Sequence, residues 1–139
     1  MEEKNRQILV NLQLERAHRF LEQADEMYGM QHWDMAANRY YYACYHAVQG
    51  LFIDNGLQAT KKHAGAVSQF SLHFVKTGKV DPIYGSFLAR MMQLRQKADY
   101  NCAYDVSKAD LGDYIELSRA FIRTIEQLIL SHKILTKIT

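Results

Sequence analysis

The chain has a single proline, Pro82, and only two cysteines, Cys44 and Cys102, in 139 residues. So little proline leaves long stretches free to be helical and argues against a turn-rich β architecture. The two cysteines make no CxxC pair and no metal-ligand spacing, which sets aside a disulfide scaffold and fits a reducing compartment. No apolar run approaches the roughly 20 residues that span a bilayer. The opening MEEKNRQ is charged and carries no apolar signal core, so a cytoplasmic location with no membrane partner is expected. The net charge of +2 gives no whole-molecule argument for nucleic-acid binding and leaves only local basic patches open. G-x-G-x-x-G, P-loop and G-x-S-x-G motifs are absent, and the six histidines are scattered. No metal, no cofactor and no serine triad is therefore expected.

What remains is ordinary globular material, 48% hydrophobic and 23% charged, long enough for one core and read as a single domain over 1–139. Apolar residues recur at helical spacing in about five segments. The first spans Glu3 to Tyr28 through Ile8, Leu9, Leu12, Phe20, Leu21, Ala24, Met27 and Tyr28, with Gly29 as a stop signal. The second spans Trp33 to Asp54, where Ala36, Ala43, Ala47 and Gly50 form a narrow stripe that lets a neighbouring helix approach closely. The third runs from His63 to Lys76 with Val67, Phe70, Phe74 and Val75 as its core face. The fourth opens on Asp81 as N-cap and Pro82 as first helical residue and ends near Asp99. The fifth opens at Ser107, with Asp110 three residues on as a weak capping box, and runs to about His132. Long amphipathic helices with short connections give an all-α antiparallel bundle of four to five helices.

Two polar runs stand out against this background. Arg95 and Asp99 are four apart and share a helical face, as a salt-bridged helix end would; Tyr100, five residues from Arg95, shares that face only if the helix unwinds. In the second helix, Asn38, Arg39, Tyr40, Tyr41, Tyr42, Tyr45 and His46 crowd together. Arg39, Tyr42 and His46 lie on one flank of the small-residue stripe, while Asn38, Tyr41 and Tyr45 point elsewhere. Packing accounts for Tyr40, Tyr41 and Tyr45, and a hydrogen-bonded core histidine accounts for His46. An arginine such as Arg39 among aromatics and alanines needs a carboxylate, a phosphate or an aromatic face. Lys61-Lys62-His63 is a basic cluster at a helix start, either an anion site or a solvated loop. The stretch Tyr28 to Tyr41 also faintly matches one tetratricopeptide hairpin, but no second repeat follows.

Taken in order, Asn38-Arg39-Tyr40-Tyr41-Tyr42-Ala43, His46, Lys62-His63-Ala64-Gly65, Phe74-Val75-Lys76-Thr77-Gly78 and Arg95-Gln96-Lys97-Ala98-Asp99-Tyr100 resemble a HEPN domain from about Arg16 to Leu130. The resemblance implies a helical bundle, usually a homodimer, often paired with a minimal nucleotidyltransferase in a toxin–antitoxin system. It also implies a ribonuclease motif, an arginine followed four to six residues later by a histidine. Arg95 matches the arginine; Tyr100 stands where the histidine belongs, and a phenol is a far weaker general base at neutral pH. The resemblance thus leads to a nucleotide- or RNA-binding module. Arg95, Asp99 and Tyr100 would converge there in a solvent-reachable cleft at the interface of a homodimer with Arg39, Asn38, Tyr42, His46 and His63 nearby, Arg95 and Arg39 holding phosphate. Tyr100 would stack, bond or accept AMP. A metal-independent endoribonuclease using Arg95 with Tyr100 or His46, and a helical adapter without a nucleotide ligand, are the alternatives.

Overall fold

The computed structural model describes residues 2–58 and 62–138, and these are helical with no strand among them. The helices are α1 (Glu3–Gly29), α2 (Trp33–Asp54), α3 (His63–Phe70), α4 (Pro82–Tyr100), α5 (Lys108–Leu111) and α6 (Tyr114–Ile138). The chain is an all-α bundle, as its periodicity requires. Central α2 packs against every other helix of the bundle. The contacts Asp25–Tyr40, Gln13–His46 and Val10–Gly50 run α1 antiparallel to α2.

The small-residue stripe of α2 explains that pairing. Ala36, Ala43 and Ala47 are fully buried, and a Cβ placed on Gly50 would lie 3.4 Å from Gln13 Cβ and 3.6 Å from the Val10 carbonyl oxygen. On α1 the facing residues are Val10, Ala17 and Ala24, each fully buried. This seam rotates Ile8, Leu9 and Leu12, part of the apolar spacing of α1, outward, where they are exposed, because the smaller residues allow the closer approach.

Three helix boundaries carry local chemistry. Asp81 caps α4 by accepting from the Ile83 N–H at 2.9 Å, with Pro82 in the first turn. The core face of α3 continues through a π-helical turn, Ser71–Val75, which keeps Phe74 buried and stacked on Phe70 at 5.9 Å between ring centroids. The helix expected to run unbroken from Ser107 is in fact two. Ser107 and Asp110 form a reciprocal capping box that opens α5, Gly112 then adopts φ 44°, and α6 starts afresh at Tyr114. From there Tyr114, Ser118, Phe121, Ile122, Ile125 and Ile129 face the core. Asp25 ties three helices together, accepting from Tyr40 Oη at 2.8 Å and from Arg119 Nη2.

Candidate functional site

The buried stripe of α4 reads Phe87, Leu88, Met91, Arg95. A guanidinium therefore occupies a core position, and Arg95 is only 4% exposed. Two tyrosines of α2 receive it: its central carbon sits 5.2 Å from the Tyr41 ring centroid and 5.6 Å from that of Tyr42. Nη1 donates to Asp99 Oδ2 at 3.2 Å and to Tyr42 Oη at 3.4 Å, both long bonds. Nε is buried with no hydrogen-bond partner among the described residues. Burying a charge costs several kcal/mol even after relaxation. Stacking over a desolvated ring returns about 2 kcal/mol or more, and exposed Asp99 is a screened partner. The guanidinium is thus held in place with donor capacity left over.

Around Arg95 the rings close into a cage. Tyr41, fully buried, lies 2.7 Å through its hydroxyl oxygen from His63 Nδ1. Tyr45 meets His63 at 4.8 Å and Tyr42 meets it at 5.6 Å, while Tyr45 and His46 are 5.6 Å apart, all between centroids. Tyr42, Tyr45, His46 and His63 are each partly exposed and Asp99 is exposed, so the cage has an aromatic and imidazole rim over a charged floor. Burial holds the Tyr41 phenol well above its usual range and keeps it neutral. Burial, with the Arg95 charge second, pushes His63 below the usual imidazole range. Burial, with Arg16 second, lowers His46 to about 4. Both imidazoles are accordingly neutral near pH 7, able to accept a proton and costly to protonate.

The other residues singled out from sequence are dispersed. Arg39 finds the aromatic face it needs on Phe20, 5.1 Å from the centroid, and Nη1 donates to Asn38 Oδ1 at 2.9 Å. It faces α1, as does His46, which packs on Phe20 at 5.2 Å and meets Gln13 Oε1 at 2.8 Å through Nδ1. Arg39 and Asn38 bond to each other, and Arg39 lies on Phe20 of α1 rather than on Arg95. The α4 helix does not unwind before Tyr100, so that side chain lies roughly 140° around the axis from Arg95. It is 77% exposed and lines a shallow groove of about 680 Å³ with Arg90, Gln93 and Lys97. The expected solvent-facing cleft joining Arg95 to Tyr100 is therefore not formed within one chain: Arg95 is buried and Tyr100 opens onto another face.

Lys61 lies outside the described residues; Lys62 is the exposed N-cap of α3. Tyr41 and Tyr45, read from sequence as packing, prove to be cage walls. The register of α4 held the signal for the buried cation, since position 95 continues the spacing of Leu88 and Met91. Among the described residues no three His, Cys, Asp or Glu side chains converge as a metal site requires, and no helix is long and apolar enough to cross a membrane.

Comparison with known proteins gives this arrangement a context. The HEPN domain family matches residues 10–128. A Thermotoga maritima protein named "UPF0332 protein" is 34% identical over 114 residues, 82% of this chain and 86% of its own. A Methanocaldococcus jannaschii protein named "Putative toxin" is 26% identical over 122 residues, 88% of this chain and 82% of its own. A second "Putative toxin" of that organism is 42% identical over 65 residues, 47% of this chain and 48% of its own.

Proposed function

This chain belongs to the HEPN family, and from that premise we propose that it is a toxin-type module that grips a phosphate of RNA or of a nucleotide at Arg95. One observation carries the reading: a buried guanidinium with an unpartnered Nε beneath a partly exposed ring of aromatic and imidazole side chains. Guanidinium donors match phosphate oxygens in bidentate geometry. Asp99 is the internal stand-in for that anion, and its single long bond is readily exchanged for a phosphate. Tyr42 and Tyr45 at the rim offer faces on which a base stacks, a contact worth about 1–3 kcal/mol. On the neighbouring face of α4, Tyr100 with Arg90 and Lys97 extends the track for a single strand. In this reading two copies pair so that the α4 faces adjoin, and a minimal nucleotidyltransferase is the natural partner, with the exposed Tyr100 phenol open to AMP attachment. The M. jannaschii relatives named "Putative toxin" support the toxin assignment.

A second reading, endoribonuclease, is favoured by His63. Its neutral imidazole lies within the Arg95 cage, and with Nδ1–H donated to the Tyr41 oxygen its Nε2 lone pair can take a proton from a ribose hydroxyl while Arg95 steadies the developing charge. Binding and cleavage of single-stranded RNA by wild type, Arg95→Ala, His63→Ala and Tyr100→Phe separate the two. The binding module predicts that Arg95→Ala weakens RNA affinity by about tenfold or more with no cutting by any form. Cutting by wild type that is lost in Arg95→Ala and His63→Ala selects the enzyme, and equal binding by wild type and Arg95→Ala removes Arg95 from the site.

A further inference from the structure

Away from the cage, α1, α2 and α6 meet around a second group of ionisable side chains. Asp54, the last residue of α2, is 3% exposed, and its Oδ2 lies 2.8 Å from His132 Nδ1. A carboxylate buried that deeply fixes the imidazole, with Nδ1–H donated inward and Nε2 turned the other way. Both side chains line a cavity of about 450 Å³ together with Arg6, Gln7, Lys133 and Lys137, a volume within the roughly 300–1,000 Å³ of small-molecule sites.

The polar groups of this cavity are incompletely used. Asp54 is committed to His132, and Glu3 at the rim is taken by Gln7 Nε2 at 2.9 Å and by Arg6 at 3.7 Å. Lys133 and Lys137, one turn apart on α6, have no carboxylate partner among the described residues. Arg6 Nε, ion-paired with Glu3 Oε2 at 3.7 Å but beyond hydrogen-bond reach of it, and Gln7 Oε1 are buried without hydrogen-bond partners. Since Gln7 Nε2 is engaged by Glu3, the free amide atom is the oxygen, which calls for a hydroxyl. The helix ends agree with an anion. Glu3 opens α1, whose N-cap makes no side-chain bond, so the positive end of a 27-residue helix lies here uncapped. The last α2 carbonyls are occupied: Leu51 by the Asn55 side chain, Phe52 by the Leu57 N–H and Ile53 by the Gly56 N–H. No Phe, Tyr or Trp side chain lines the cavity, so the His132 ring is the one aromatic face offered to a nucleobase there.

We propose that this cavity is a second ligand site, separate from the Arg95 cage, which takes a small hydroxyl-bearing phosphate monoester of the sugar-phosphate class. Lys133, Lys137 and Arg6 Nε hold the phosphate, Gln7 Oε1 accepts from a hydroxyl, and His132 Nε2 completes the ring of contacts.

The test is a titration of the full chain with ribose 5-phosphate, ribose and AMP, followed through the His132 ring signals by NMR. Ribose 5-phosphate moves them saturably, ribose does not, and AMP binds no more tightly than the sugar phosphate. The solvent-facing double change Lys133→Gln with Lys137→Gln weakens binding by about tenfold or more with an unchanged thermal midpoint, and Arg95→Met leaves it intact. The proposal is overturned by the absence of saturation, by equal response of wild type and the double variant, by the same shifts from chloride at matched ionic strength, by loss of the response in Arg95→Met, or by tighter binding of AMP.

Discussion

Arg95 is the residue on which the proposed chemistry turns, and it sits where an aliphatic side chain would pack at less cost. Its neighbours are tuned by the same burial. His46 titrates at about 4 in the folded chain against 6.5 for the free imidazole, and His63 is displaced the same way. As pH falls the unfolded chain therefore takes up protons first. Stability from His46 is complete above pH 6.5 and drains as pH falls toward 4, by on the order of 2 kcal/mol once partial exposure is allowed for. Urea unfolding of His46→Gln should show a flatter pH dependence across that window than wild type. A wild-type slope retained in the variant would sink this assignment.

At the scale of helices, the α1–α2 seam is the decisive contact. Gly50→Ala places one carbon at ordinary contact distance from Gln13 and gains up to about 1 kcal/mol of helix propensity, so it is expected to be neutral or stabilising. Gly50→Val overfills the seam and should cost about 1–3 kcal/mol in chemical denaturation; a valine variant as stable as the alanine one would show that the helices do not approach so closely. Much of this architecture was legible beforehand: the α2 bounds, the Asp81–Pro82 start of α4 and the Ser107–Asp110 capping box all follow from local chemistry. The break at Gly112 was not, because apolar spacing carries on across it from Leu111 to Tyr114. Nor was the outward turn of Ile8, Leu9 and Leu12, since periodicity gives a helix its face but not the neighbour that claims it. The structure brings Arg95, Tyr42, His63 and Asp99 together with Tyr41 and Tyr45, two rings that the sequence accounts for by packing alone, and sets Arg39 on Phe20 of α1, because local spacing gives a side chain its helix face but not its neighbours.

Across the whole molecule, a net charge of +2 supplies little long-range attraction for a polyanion, so the proposed RNA affinity would rest on few groups and is expected to fall only shallowly with salt. Steep loss of binding between low and physiological salt would point instead to a diffuse basic surface. The bundle also accommodates a costly buried charge without a deeply buried carboxylate to match it, a burden that the proposed phosphate site would explain. The most direct measurement is Arg95→Met, read for thermal stability and RNA binding on the same sample. Replacing a buried ion pair by apolar side chains is often neutral or stabilising by about 1–4 kcal/mol, and because the partner Asp99 is exposed, Arg95→Met leaves no buried charge uncompensated. The thermal midpoint should therefore hold or rise while binding falls by about tenfold or more. A midpoint that drops steeply while each folded molecule binds RNA as tightly as before would contradict the account, leaving Arg95 a structural anchor with no ligand.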